Sequence, residues 1–117
     1  KDKLTSIYVP ETFNGLEIMS ISSQSFTDLP NLETLIISNK VTNLDSFVFS
    51  NCPKLKKIYL CHTKYPPTVG NDFLNGVSDD CLIYVTSLRM YSAGYNWEMY
   101  GSRLRQFSMS EIEELMK

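Results

Sequence analysis

An α/β repeat solenoid is the fold class this sequence predicts, and three observations predict it. The first is a pattern written twice at an offset of 23 residues. Phe26-Thr27-Asp28-Leu29-Pro30-Asn31-Leu32-Glu33-Thr34-Leu35-Ile36-Ile37 returns as Phe49-Ser50-Asn51-Cys52-Pro53-Lys54-Leu55-Lys56-Lys57-Ile58-Tyr59-Leu60. The second is that the same offset reaches upstream, where Ile18 and Ile21 are echoed by Val41 and Leu44. The third is an L-x-x-L-x-L core inside each copy: Leu32, Leu35, Ile37, then Leu55, Ile58, Leu60. One turn of such a coil cannot bury its apolar side alone, so successive turns stack and share a core.

Taken in order, the chain opens with a first strand at Leu4-Thr5-Ser6-Ile7-Tyr8-Val9, matching Leu32 to Ile37 and Leu55 to Leu60. The interval from Leu4 to Leu32 is longer than the repeat. The extra residues fall in Pro10-Glu11-Thr12-Phe13-Asn14-Gly15, whose Pro and Asn-Gly mark a turn. Phe13, the large apolar residue there, is expected to tuck into the core. After the two clean repeats, Pro66-Pro67 breaks the rhythm by fixing φ and removing donors. Cys81-Leu82-Ile83-Tyr84-Val85 reads as a fourth strand.

From Thr86 the pattern turns helical. Leu88, Tyr91 and Tyr95 recur at spacings of three and four, with Ser87 as N-cap and Gly94 as stop. A second short helix is expected to start at Ser110, with Ser110 and Glu113 at capping-box spacing and Ile112, Leu115 and Met116 as its apolar stripe. This tail serves as the cap that covers the last open turn.

A chain of 117 residues is one domain by length, and 43% hydrophobic with 21% charged residues makes it globular material rather than a disordered chain. A formal net charge of -2 leaves no electrostatic footprint for nucleic acid. No apolar run reaches the roughly 18 residues that span a bilayer, so no membrane insertion is expected. No signal peptide is visible, and the sequence reads as a fragment of a longer chain.

Cys52, Cys61 and Cys81 do not make an even disulfide framework. Cys52 and Cys81 sit at core slots and are expected to be buried, whereas Cys61, one residue past a strand, is the thiol expected to be exposed. The spacing of the three cysteines and His62 lacks the short C-x-x-C knuckles of zinc sites, so no metal is assigned. His62 reads as a solvent-facing turn residue. With one histidine and no G-x-S-x-G, H-E-x-x-H, phosphate loop or dinucleotide fingerprint, no catalytic residue and no cofactor is assigned.

Leu44, Phe49, Cys52, Leu55, Ile58 and Leu60 fit, position by position, a repeat of the form Ile-x-x-x-x-Phe-x-x-Cys-x-x-Leu-x-x-Ile-x-Leu. On these residues the chain resembles the BspA-like leucine-rich repeats. Tyr84-Val85, then Tyr91, Trp97, Tyr100, Arg103 and Leu104, is similar to the segment that closes such arrays. The chain departs from the family pattern in its long first interval, in Leu29 where cysteine is usual, and in Thr86 where proline is usual. The resemblance implies a leucine-rich repeat solenoid with short parallel β-strands on the concave face, an irregular or short helical convex side, and a small helical C-terminal cap. Residues 1–117 then form a single domain, with repeats over about 1–86 and the cap over about 87–117. It further implies a secreted or cell-surface setting and a role in adhesion or protein–protein contact, with no catalytic residues.

Strand residues alternate between faces, so burying Ile7, Leu35, Ile58 and Ile83 presents Tyr8, Ile36, Tyr59 and Tyr84 on the other side in register. Thr34 and Lys57 lie two residues away on that face. These six are the candidate ligand-binding residues, and a protein or surface polymer is the expected partner. The alternative is that the same row only ties strands together and the domain is a structural spacer.

Overall fold

Four-residue runs of alternating side chains, repeated along the chain, give strands too short to stand alone, and each finds its partner one repeat away. The computed structural model describes residues 3–94 and 96–116. Its main sheet is parallel and five-stranded, with strands Ser6–Val9, Thr34–Ile37, Lys57–Leu60, Leu82–Val85 and Leu104–Gln106 side by side in chain order. Register is constant across it: Ile7, Leu35, Ile58, Ile83 and Leu104 are successive partners, as are Tyr8, Ile36, Tyr59, Tyr84 and Arg105. The fifth strand is not among those read from the sequence. It carries one buried residue, Leu104, between exposed Arg105 and Gln106 and half-buried Arg103.

Opposite the main sheet, the returning chain makes only two-residue contacts. Ser20–Ile21, Asn43–Leu44 and Thr68–Val69 pair in parallel, as do Phe26–Thr27 and Phe49–Ser50. Between the layers lies the main core, in which Leu32, Leu35, Ile37, Leu55, Ile58 and Leu60 are all fully buried. Phe26, Phe49 and Phe73, one from each coil, follow one another along it, the first two stacked at a centroid separation of 5.7 Å and the last two tilted at 5.4 Å. The coils turn tightly by using left-handed backbone at repeat-related positions: Asp28, Asn51 and Gly76 all have positive φ. At the last of these a Cβ would stand 2.7 Å from the Phe49 carbonyl oxygen, so the φ of +96° and the close approach both call for glycine. Repeat-related polar side chains also join, Asn51 to Asp28 at 3.0 Å and Lys54 to Asn31 at 3.3 Å.

Where the first interval runs long, Thr12–Phe13 and Leu16–Glu17 form an antiparallel hairpin closed by Asn14 and Gly15, both at positive φ. The turn is as expected, but Phe13 is 65% exposed rather than tucked into the core. A two-residue hairpin projects its side chains beyond the coil, out of reach of the shared interior.

The C-terminal third packs by aromatic residues. Ser87 caps helix Leu88–Ser92, its hydroxyl accepting from the Met90 N–H at 3.2 Å. Tyr91 is buried on that helix, while Leu88 is exposed and Tyr95 lies outside the described residues. A 3₁₀ segment, Trp97–Arg103, follows. Trp97 donates from Nε1 to the Pro67 carbonyl at 2.8 Å, so the proline pair that cannot donate becomes an acceptor. The Tyr100 hydroxyl sits 2.7 Å from the Gly70 carbonyl oxygen and accepts from the Phe73 N–H at 3.3 Å. Tyr91, Trp97, Tyr100 and Leu104 all join the main core.

Beyond the fifth strand the chain makes two 3₁₀ turns, Met109–Glu111 and Glu113–Met116, instead of a helix from Ser110. The capping box is Ser108 with Glu111, two residues earlier than expected: the Ser108 N–H donates to the Glu111 carboxylate at 2.7 Å. Ile112 is buried, but Leu115 is exposed.

Candidate functional site

Because the core consumes every second residue of each strand, the other half faces away from it, and there the sheet carries its distinctive row. Tyr8, Ile36, Tyr59 and Tyr84 are neighbours in register, ending at Arg105. Tyr59 and Tyr84 stack face to face at 4.7 Å and 18°. Two residues upstream on the same face, Thr34 pairs with Lys57, the one half-buried and the other exposed. All six candidate residues are thus brought onto one surface.

That surface is not open along its whole length. Phe107 follows the fifth strand, and its N–H donates to the Val85 carbonyl at 3.0 Å. Its ring meets Tyr59 edge-on at 5.1 Å. From there residues 108–116 return across the row to the first strand, where Met109 and Met116 border a cavity of about 160 Å³ together with Tyr8, Ser38 and Cys61. Ile36, Cys61, Phe107 and Ile112 form a second buried cluster, with Tyr8, Tyr59, Tyr84, Met109 and Met116 packed half-buried around it. Ile36 has no exposed surface. The expectation of a bare row is corrected at this point: the chain's own tail covers its centre, leaving Tyr8, Tyr59 and Tyr84 half-exposed.

Two further expectations change for the same reason of long-range packing. Cys61 is 5% exposed, and burial pushes its thiol up to about 11. Cys52 and Cys81 are buried in the main core, as expected. His62 is not a surface residue: it is 3% exposed, and its Nε2 donates to the Val41 carbonyl at 2.6 Å. Its Nδ1 has no partner among the described residues. Burial holds its pKa below the ordinary value, so the ring is neutral. Among the described residues no group of three metal-ligating side chains gathers, and no helix is long and apolar enough to cross a membrane.

This arrangement, coils of 21 to 28 residues pairing short parallel strands over a shared apolar interior, defines a protein of the leucine-rich repeat class. The family model described as the BspA type leucine-rich repeat region, six copies, matches residues 1–75. The chain therefore belongs to the BspA-type leucine-rich repeat family, a family of protein-interaction or surface repeat modules. No curated protein and no solved structure matches it.

Proposed function

We propose that this chain is a non-enzymatic recognition module, a single leucine-rich repeat solenoid with repeats over about 1–86 and a C-terminal cap over about 87–117. It acts in adhesion or protein–protein contact as part of a secreted or cell-surface protein, and it binds a protein or surface polymer. The binding residues are Tyr8, Thr34, Lys57, Tyr59 and Tyr84, with Ile36 of the same row buried beneath the tail. One observation carries this reading: the stacked Tyr59–Tyr84 pair faces away from the core on a rigid, register-locked sheet. Tyrosine offers a large contact area at low rotamer cost and keeps a hydroxyl for hydrogen bonding.

The spacer reading is favoured by a different observation, the complete burial of Ile36 beneath the tail. The two separate by mutation. Because Tyr59 also packs on Phe107, variants are compared well below their thermal midpoints. Tyr59→Ser and Tyr84→Ser are each expected to weaken binding of the folded protein to cultured host cells or immobilised matrix by about tenfold, about 1.4 kcal/mol. Unchanged binding of the double variant would end the recognition reading and leave the spacer.

A further inference from the structure

We infer that residues 107–116 are a releasable strap that occupies the tyrosine row and lifts from it while the repeat stack stays folded. In its functional sense this rests on the recognition reading above, since the row becomes wholly accessible only when the strap is off it. Three observations carry the inference.

The first is that the strap has an apolar cluster of its own. Ile36, Cys61, Phe107 and Ile112 are buried on one face of the main sheet, whereas the main core lies on the other. A layer one side chain deep, separated by a sheet from the large core, can open without disturbing it. The second is the strap's backbone. Among the described residues its last backbone bond to a strand is Phe107 to Val85, and the backbone bonds after that, Glu111 to Ser108, Ile112 to Met109 and Leu115 to Ile112, lie within the strap. Short 3₁₀ turns with local bonds carry their hydrogen bonding with them when they move. The third is incomplete packing at the far end. Among the described residues none fills the cavity beside Met109 and Met116, and the Ser38 hydroxyl that lines it, 3% exposed, has no partner among them. A strap fused into the fold would fill that space and satisfy that hydroxyl.

The chain contains its own reporter. Cys61 lies under the strap, while Cys52 and Cys81 lie in the main core. With its thiol pushed up to about 11 by burial, Cys61 reacts only from an opened form. The intact protein is treated with 5,5′-dithiobis(2-nitrobenzoate) under native conditions, and the rate at each cysteine is read by peptide mass spectrometry. Cys61 is expected to label about a hundredfold faster than Cys52 and Cys81, because it needs only local opening. Ile112→Ser, which removes the strap's most buried anchor, is expected to raise the Cys61 rate about tenfold further and leave the other two rates unchanged. One common rate for all three thiols, or a rise in all three together in Ile112→Ser, would show that the strap opens only with global unfolding and would overturn the inference. No partner enters this experiment, so its failure refutes the strap alone; failure of the Tyr59 and Tyr84 variants to weaken binding refutes the recognition reading and leaves the strap standing.

Discussion

Replacing Leu55 with alanine tests whether the repeat register is the source of this protein's stability. Leu55 has no exposed surface and sits in the main core with Leu32, Leu35, Ile58 and Leu60. Its backbone is held on both sides: its N–H bonds to the Cys52 carbonyl at 3.2 Å, and its carbonyl accepts from Ser78 at 3.3 Å. Tethered in this way, the main chain cannot sink into the space that the missing side chain leaves. The loss should therefore contain both the transfer of the side chain and an uncollapsed cavity, about 2–5 kcal/mol together. In a chain of this size each kcal/mol moves the thermal midpoint by about 4 °C, so a fall of about 8–20 °C is expected. Urea unfolding followed by fluorescence supplies the free energy directly, because Trp97 is the only tryptophan and is buried in the same core. A loss below about 0.5 kcal/mol would refute the assignment of Leu55 to the shared interior.

Two more outcomes follow from particular residues. Gly76→Ala should cost about 1–3 kcal/mol, since its positive φ and the Phe49 carbonyl both oppose a Cβ, while Gly101→Ala, which meets nothing within 4 Å, should cost little; denaturation midpoints of the pair decide it. His62 is neutral in the fold because burial lowers its pKa from the ordinary 6.5, so the unfolded chain binds more protons in mild acid. Stability is then full above pH 6.5 and falls as pH drops below it, levelling off beneath the lowered folded value. His62→Gln should show a flatter loss between about pH 7 and about pH 5, and an identical slope in both proteins would show that the buried ring is not the cause.

How far the sequence announced this structure depends on how local each signal is. Leu35, Ile58 and Ile83, and the Tyr8, Ile36, Tyr59 and Tyr84 row, were legible because period and alternation together set both the partner strand and the face. The fifth strand was not, because Leu104 is a single inward residue among Arg103, Arg105 and Gln106, too short a run for alternation to register. The pairs at Ser20–Ile21, Asn43–Leu44 and Thr68–Val69 escape notice for the same reason. Burial of Ile36, Cys61 and His62 was illegible for another: it is created by segments far along the chain or in the neighbouring coil. Met109, Ile112 and Met116, at spacings of three and four, read as the stripe of a short helix, and nothing in that spacing names the face of the sheet they cover. At Phe13 the turn was readable from Asn14-Gly15, but the direction in which a hairpin projects is set by the coil that carries it.

The return of residues 108–116 to the first strand has a mechanical consequence. The hydrogen bonds joining one coil to the next point along the stack, so tension along that direction loads them one strand at a time rather than all in parallel. Met116 ends beside Tyr8, at the opposite side of the sheet from Gln106 where the tail departs. A pull between Ser6 and Met116 therefore draws on the tail first. The tail's seats at Met116, Ile112 and Phe107 are side-chain contacts that give way one after another, whereas the Ser6–Val9 strand at the other end is held to Thr34–Ile37 by backbone hydrogen bonds. The tail is a slack length held by side chains in series, and it gives way at low force. Such a length spares the coils beneath it and takes up the first stretch.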